Sequence, residues 1–229
     1  MCKSKEIIYL LYGFIIILSI TKLYEYFNKN CFICKFISCL YKLRYTVHHT
    51  CSKEGGEAEV LKKVPFPSEY KPEEEKKPFL GAGHYFWEFN IDYAKVWGKN
   101  HYNNNYYICE SEIDIDHETD GFYLDLVGSR KDLVGFVDLL WEFNLIHEEG
   151  TKGIDLCWII DYLRTKCPPE AFPFEVIRAV DYKNDENGIK IVFNDKQKSY
   201  TILNPRIIIS FKNKEKIVYL TNPFISFAS

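Results

Sequence analysis

The stretch Phe79-Leu80-Gly81-Ala82-Gly83-His84-Tyr85-Phe86-Trp87-Glu88 restricts what this chain can fold into more than any other. Two glycines around an alanine let a backbone pass close to a ligand or to another segment, because no Cβ stands in the way. The aromatics that follow read as a buried strand, and Asn90 or Asp92 offers an N-cap for a helix carrying Ala94, Val96 and Trp97. Turn, strand and helix are expected in that order.

Composition sets the frame around this stretch. At 229 residues the chain has room for one sizeable domain plus an appendage. A hydrophobic content of 47%, with 17% aromatic, supplies a core and excludes wholesale disorder. The net charge of -3 gives no strong nucleic-acid signal, since phosphate binding needs concentrated positive charge. Eight cysteines, unevenly spread, do not form a small disulfide-stapled scaffold and point to a reducing compartment.

Residues 7–21 carry no charge. That is about 15 residues against the ~20 of a spanning helix, so Lys22 snorkels and Tyr24 and Tyr26 take the interfacial belt. Residues 1–28 are therefore expected to be a transmembrane or membrane-anchor helix. A cleaved signal peptide is the alternative, but no small-x-small cleavage site follows Thr21. Lys22, Lys29, Lys35, Lys42 and Arg44 outnumber the Lys3 and Lys5 that precede the span, which favours a single pass with the C-terminal domain in the cytoplasm. Residues 29–42 form a Cys-containing juxtamembrane segment. Cys31, Cys34, Cys51 and His49 have a spacing that zinc tolerates, and buried or lipid-modified thiols beside an anchor fit it equally, so no metal is assigned.

From residue 43 onward the pattern is that of a mixed domain. Residues 44–50 read as a strand, Ser52 as the cap of a helix over 57–63, and the Pro- and Glu-rich residues 65–78 as a charged loop. Residues 106–115 alternate, with Tyr107, Cys109, Ser111 and Ile113 on one face and Ile108, Glu110, Glu112 and Asp114 on the other. A short strand over 122–126 leads to a helix capped by Ser129, and a second helix over 154–166 stops at Pro168-Pro169. Strands over 174–180, 188–193, 200–203 and 206–211 and an apolar run over 217–220 complete an α+β domain. Its core is a mixed or antiparallel sheet with flanking helices, preceded by the N-terminal hydrophobic helix.

Two motifs taken together resemble a family. Val47-His48-His49-Thr50, a helix, a charged loop, Gly81-Ala82-Gly83-His84-Tyr85-Phe86 and a second helix look like the donor half of ADP-ribosyltransferases of the diphtheria-toxin and poly(ADP-ribose) polymerase type. The resemblance covers residues 47–97 and makes 43–229 an ADP-ribosyltransferase-like domain. It implies NAD as substrate, with His48, Thr50, Gly83 and Tyr85 binding it, Tyr85 as the ring that stacks on nicotinamide, and His49 in the place of the family's glycine.

Cleaving the glycosidic bond of NAD builds an oxocarbenium-like cation, which calls for an aromatic wall, hydrogen bonds to the ribose and a nearby carboxylate. The family's glutamate belongs at the start of a late strand, where this chain has Asn204-Pro205-Arg206. Glu88 and Glu112 are the candidates to replace it, with Glu110 beside them, and Arg206 could meet an anionic substrate. Transfer of ADP-ribose to a macromolecular acceptor, as a toxin or defence effector, is the expected activity. A catalytically inactive domain of the same fold, acting as a membrane-anchored nucleotide- or partner-binding module, is the alternative.

Overall fold

The computed structural model describes residues 44–71, 77–115, 122–146, 155–181, 190–194 and 199–229. All of them belong to one unit, Arg44–Ser229. The expected membrane helix, the juxtamembrane cysteines Cys31 and Cys34, and the middle of the charged loop lie outside the described residues. Among the described residues no helix is long and apolar enough to cross a membrane.

The chain opens with β1 (Arg44–Ser52), α1 (Gly56–Lys63) and the two-residue β2 (Pro67–Ser68). It continues through β3 (Gly83–Glu88), α2 (Ile91–Tyr102), β4 (Tyr106–Asp114) and β5 (Tyr123–Asp125). Two helices follow, α3 (Arg130–Glu142) and α4 (Leu156–Lys166), then β6 (Val176–Val180), β7 (Lys190–Asn194), β8 (Ser199–Ile202) and β9 (Ile207–Phe211). β10 (Val218–Tyr219) and β11 (Phe224–Ala228) finish it. The main sheet runs β10-β4-β1-β3-β9-β6-β5, with β11 beside β4 and β2 beside β3, while β7 and β8 pair separately. Every ladder is antiparallel except β5 with β6. The fold is α+β with a mixed sheet, as the succession of periodicities predicts.

Local chemistry sets the helix ends. The Asn90 side chain accepts from Tyr93 N and Ser129 from Asp132 N, so both expected caps are in place. α2 ends where Asn103 and Asn104 take positive φ of 50° and 60°, a conformation asparagine tolerates. The expected cap Ser52 instead accepts from Glu54 N and closes a turn. α1 is preceded by Gly55 at its N-cap with φ 85°, because a glycine reaches that left-handed position without cost. The sequence reading stopped at residue 220 and missed β11, whose residues are aromatic and apolar but show no clean alternation.

The helices cover one face of the sheet, where Trp87, Ile108, Leu124, Ile177 and Ile208 meet Ala94 of α2, Phe136 and Leu140 of α3, and Ile159, Ile160 and Leu163 of α4. The other face closes on itself. Tyr45 of β1 hydrogen-bonds Tyr123 of β5, although β3, β9 and β6 stand between those strands in the sheet. Curling of this kind is the accumulated right-handed twist of the strands. It lets Val47, Phe86, Ile113, Tyr123, Val176, Ile209 and Phe211 form a second core to which, among the described residues, no α-helix contributes.

Candidate functional site

The register of β1 and β3 decides which motif residues can meet. Val47 faces Glu88 and His48 faces Trp87, and residues paired in this way share a face of the sheet. His48, Thr50, Tyr85 and Trp87 therefore lie on the helix-covered face. Val47, His49, Phe86 and Glu88 lie on the other.

His48 is buried, and its Nε2 is 3.1 Å from Glu110 Oε2, its direct partner across the β1–β4 ladder. With Nε2–H donating to the carboxylate, Nδ1 is left as a buried acceptor with no hydrogen-bond partner among the described residues. Thr50 lies two residues along the same face and donates its hydroxyl to Ala94 O of α2 at 3.1 Å. Tyr85 turns its hydroxyl back onto the glycine turn, where it accepts from Leu80 N at 2.8 Å and donates to Gly81 O. Burial raises the pKa of this phenol well above its ordinary value, against the opposing pull of Leu80 N, the Ser210 hydroxyl and the Arg164 guanidinium.

The two glycines of the turn are required by neighbours rather than by open space. A Cβ at Gly83 would stand 2.7 Å from Ser210 Oγ and 2.8 Å from Phe211 O of β9. Gly81, at φ 78°, would press a Cβ to 2.6 Å from Asp161 Oδ1 of α4. The Gly-x-Gly signal thus reports close approach of β9 and α4, which is what seats Tyr85.

The carboxylates separate clearly. Glu88 is on the face away from His48, in a bidentate pair with Arg178 at 2.6 and 2.8 Å. Arg178 also reaches Asp125 at 3.0 Å and lies over the Tyr45 ring. Glu112 shares the face of His48 but stands opposite Thr46, one pleat further from Tyr85. Glu110 is the carboxylate that the fold delivers to the imidazole. Arg206 pairs with Asp181 at 2.9 Å and packs its guanidinium over Trp87 and Tyr93.

His49 has a role the motif reading did not give it. Nδ1–H donates to Tyr85 O at 2.9 Å, and Nε2 accepts from Phe66 N at 3.1 Å. The ring stacks on Phe66 and meets Phe86 edge-on. It bridges β1 to β3 beyond the last paired residues and ties down the segment entering β2. Burial is the main reason its pKa falls to about 4, with the charges of His84 and Lys214 adding to it and the bond to Tyr85 O opposing it. Of the residues in the zinc reading, His49 has both ring nitrogens committed within the protein, and among the described residues no group of three potential ligands converges.

Chemically, the helix-covered face offers an imidazole oriented by a carboxylate, one unused imidazole nitrogen, and an aromatic wall of Tyr85 and Trp87. An imidazole whose N–H is held by a carboxylate presents its other nitrogen as a proton acceptor. Comparison of the chain with protein-family models, with curated proteins and with solved structures finds no match.

Proposed function

We propose that residues 43–229 form an ADP-ribosyltransferase-type domain that binds NAD and transfers ADP-ribose to a macromolecular acceptor. The observation that carries this reading is the shared face: His48 and Thr50 of β1 and the distant Tyr85 of β3 lie on one side of two adjacent strands, with Glu110 bonded to His48. In this reading His48 and Thr50 hold the nicotinamide ribose, Gly83 lets the strand approach, Tyr85 stacks on the nicotinamide, and Glu110 takes the part for which Glu88 and Glu112 were also candidates. Tyr85 reaches a substrate when the turn that holds its hydroxyl moves with it. Residues 7–21 would anchor the domain in a membrane, and retention of the full chain in membranes after alkaline carbonate extraction checks that part.

A second reading, a catalytically silent nucleotide- or partner-binding domain, is favoured by a specific observation. The hydroxyls of Thr50 and Tyr85 are already satisfied inside the protein, and Glu88 is committed to Arg178. The test is calorimetric NAD binding together with nicotinamide release by the detergent-solubilised full chain. The transferase reading expects both, with release falling at least tenfold in His48→Gln and Glu110→Gln. Binding without release selects the silent domain, and absence of both rejects an NAD site altogether.

A further inference from the structure

Cys51 and Cys109 are set up as a pair. Across the β1–β4 ladder Cys51 faces Tyr107 and Cys109 faces His49, so the two thiols are diagonal neighbours on one face of adjacent antiparallel strands. Each is 2% exposed, enclosed by Val60 of α1, by Val64 just after that helix, and by Ile225 of β11. Both are free thiols packed in one buried cluster, and Cys51 Sγ lies 3.9 Å from Tyr107 O. Diagonal neighbours stand about 7–8 Å apart, beyond the roughly 4.4–6.8 Å between Cα atoms that a disulfide spans, so closing the bridge requires the two strands to shift locally. Both side chains sit in the same buried cluster, which keeps the required shift small.

The two sulfurs are not equivalent. The hydrogen bond from Cys109 lowers the pKa of Cys51, whereas that same contact, followed by burial, pushes the Cys109 thiol up. We take Cys51 as the attacking sulfur and Cys109 as the resolving one, and the step balances equally with the roles exchanged. The other two described cysteines have no such arrangement: Cys157 donates to Asp161 Oδ2, and burial pushes the Cys167 thiol up.

We propose that Cys51 and Cys109 are a redox-responsive dithiol, converted to an intrachain disulfide by a two-electron oxidant, hydrogen peroxide. The Cys51 thiolate attacks one peroxide oxygen, giving a sulfenic acid and hydroxide. Cys109 then attacks the sulfenic sulfur, the S–S bond forms, the S–O bond breaks, and water leaves with the Cys109 proton. Access is through β11, whose pairing with β4 is irregular between Ile225 and Phe227 and whose Phe224 is exposed. Local opening of such a strand uncovers the sulfurs beneath Ile225. The bridge would fasten β1 to β4 beside Thr50 and Glu110, holding the His48–Glu110 contact in register, and it does not depend on what that contact does.

The experiment treats the folded full chain with hydrogen peroxide, blocks remaining thiols by alkylation, and maps peptides by mass spectrometry with and without dithiothreitol. A Cys51–Cys109 linked peptide that dithiothreitol abolishes is the expected product. It should dominate in the folded chain and be diluted among other pairings when the chain is first unfolded in urea. Recovery of both residues singly alkylated or irreversibly oxidised, or the same scatter of pairings in folded and unfolded chain, overturns the proposal. The measurement uses the unaltered protein, so no variant has to fold.

Discussion

At the scale of single residues, His49 is where stability and pH meet. Both of its nitrogens are committed, one donating to Tyr85 O and one accepting from Phe66 N, so a second proton would cost it the bond from Phe66 and place a charge in the core. Its folded pKa of about 4 lies below the usual 6.5. Between those values the unfolded chain takes up a proton that the folded chain refuses, so stability rises with pH through this window and is lost as pH falls through it, by roughly 3 kcal/mol in all. Urea unfolding from pH 7 down to pH 4 should show that slope, and His49→Gln should flatten it while being less stable at pH 7. Asp125 acts in a lower window. Burial pushes its carboxyl up, but the amides of Gly128 and Val127 and the Arg178 guanidinium outweigh that and hold it below its ordinary value. Its contribution is therefore lost only as pH falls below about 3.9. The neighbouring histidines were visible in the sequence, and strict alternation put them on opposite faces. What could not be read was which face lies under helices and which curls into its own core, since period two is symmetric between them.

At the scale of elements, two helical glycines make opposite predictions. Gly98 of α2 faces the Tyr106 ring so closely that a Cβ would sit 2.4 Å from it. Gly98→Ala should therefore lower the melting temperature, because overpacking costs about 1–3 kcal/mol and outweighs the ~1 kcal/mol gained in helix propensity. Gly135 of α3 has nothing within 4 Å of a built Cβ, and Gly135→Ala should raise the melting temperature by the propensity term alone. The sequence pattern made both positions plain helix interior, and only the strand packed beneath α2 distinguishes them. Caps were legible because they are local: Asn90 and Ser129 each bond an amide three residues on. Ser52 was misread as a cap because its hydroxyl has the same local option two residues on, and Gly55 supplied a cheaper start.

At the scale of the whole molecule, closure of the curled sheet depends on one guanidinium. Arg178 of β6 binds Glu88 of β3 and Asp125 of β5 and packs on the Tyr45 ring of β1, with its side chain 12% exposed. Removing one member of a buried ionic set leaves its partners charged and unpaired, which costs about 3–5 kcal/mol. Arg178→Met should lower the unfolding free energy by that amount in denaturant titrations. Added salt should change the wild-type value little, because screening acts mainly on exposed charges. Glu88 was marked from sequence as a candidate carboxylate next to the aromatic strand, and it is the last residue of β3. Its partner comes from a strand 90 residues on, a distance over which no local pattern carries information.

The sequence by itself determined the helices and most strands of the described residues, the two helix caps at Asn90 and Ser129, the near-naked backbone at Gly81 and Gly83, and the alternation that separates His48 from His49. These are consequences of φ/ψ preference and of periodicity within a few residues. The tertiary structure alone decided that Gly83 is crossed by β9, that Tyr85 is folded onto its own turn, that Glu110 rather than Glu88 meets His48, and that Cys51 leans on Cys109. Each of those depends on strand order and register. They are set by the burial of two cores and the twist that joins them, a property of the whole sheet rather than of any stretch within it.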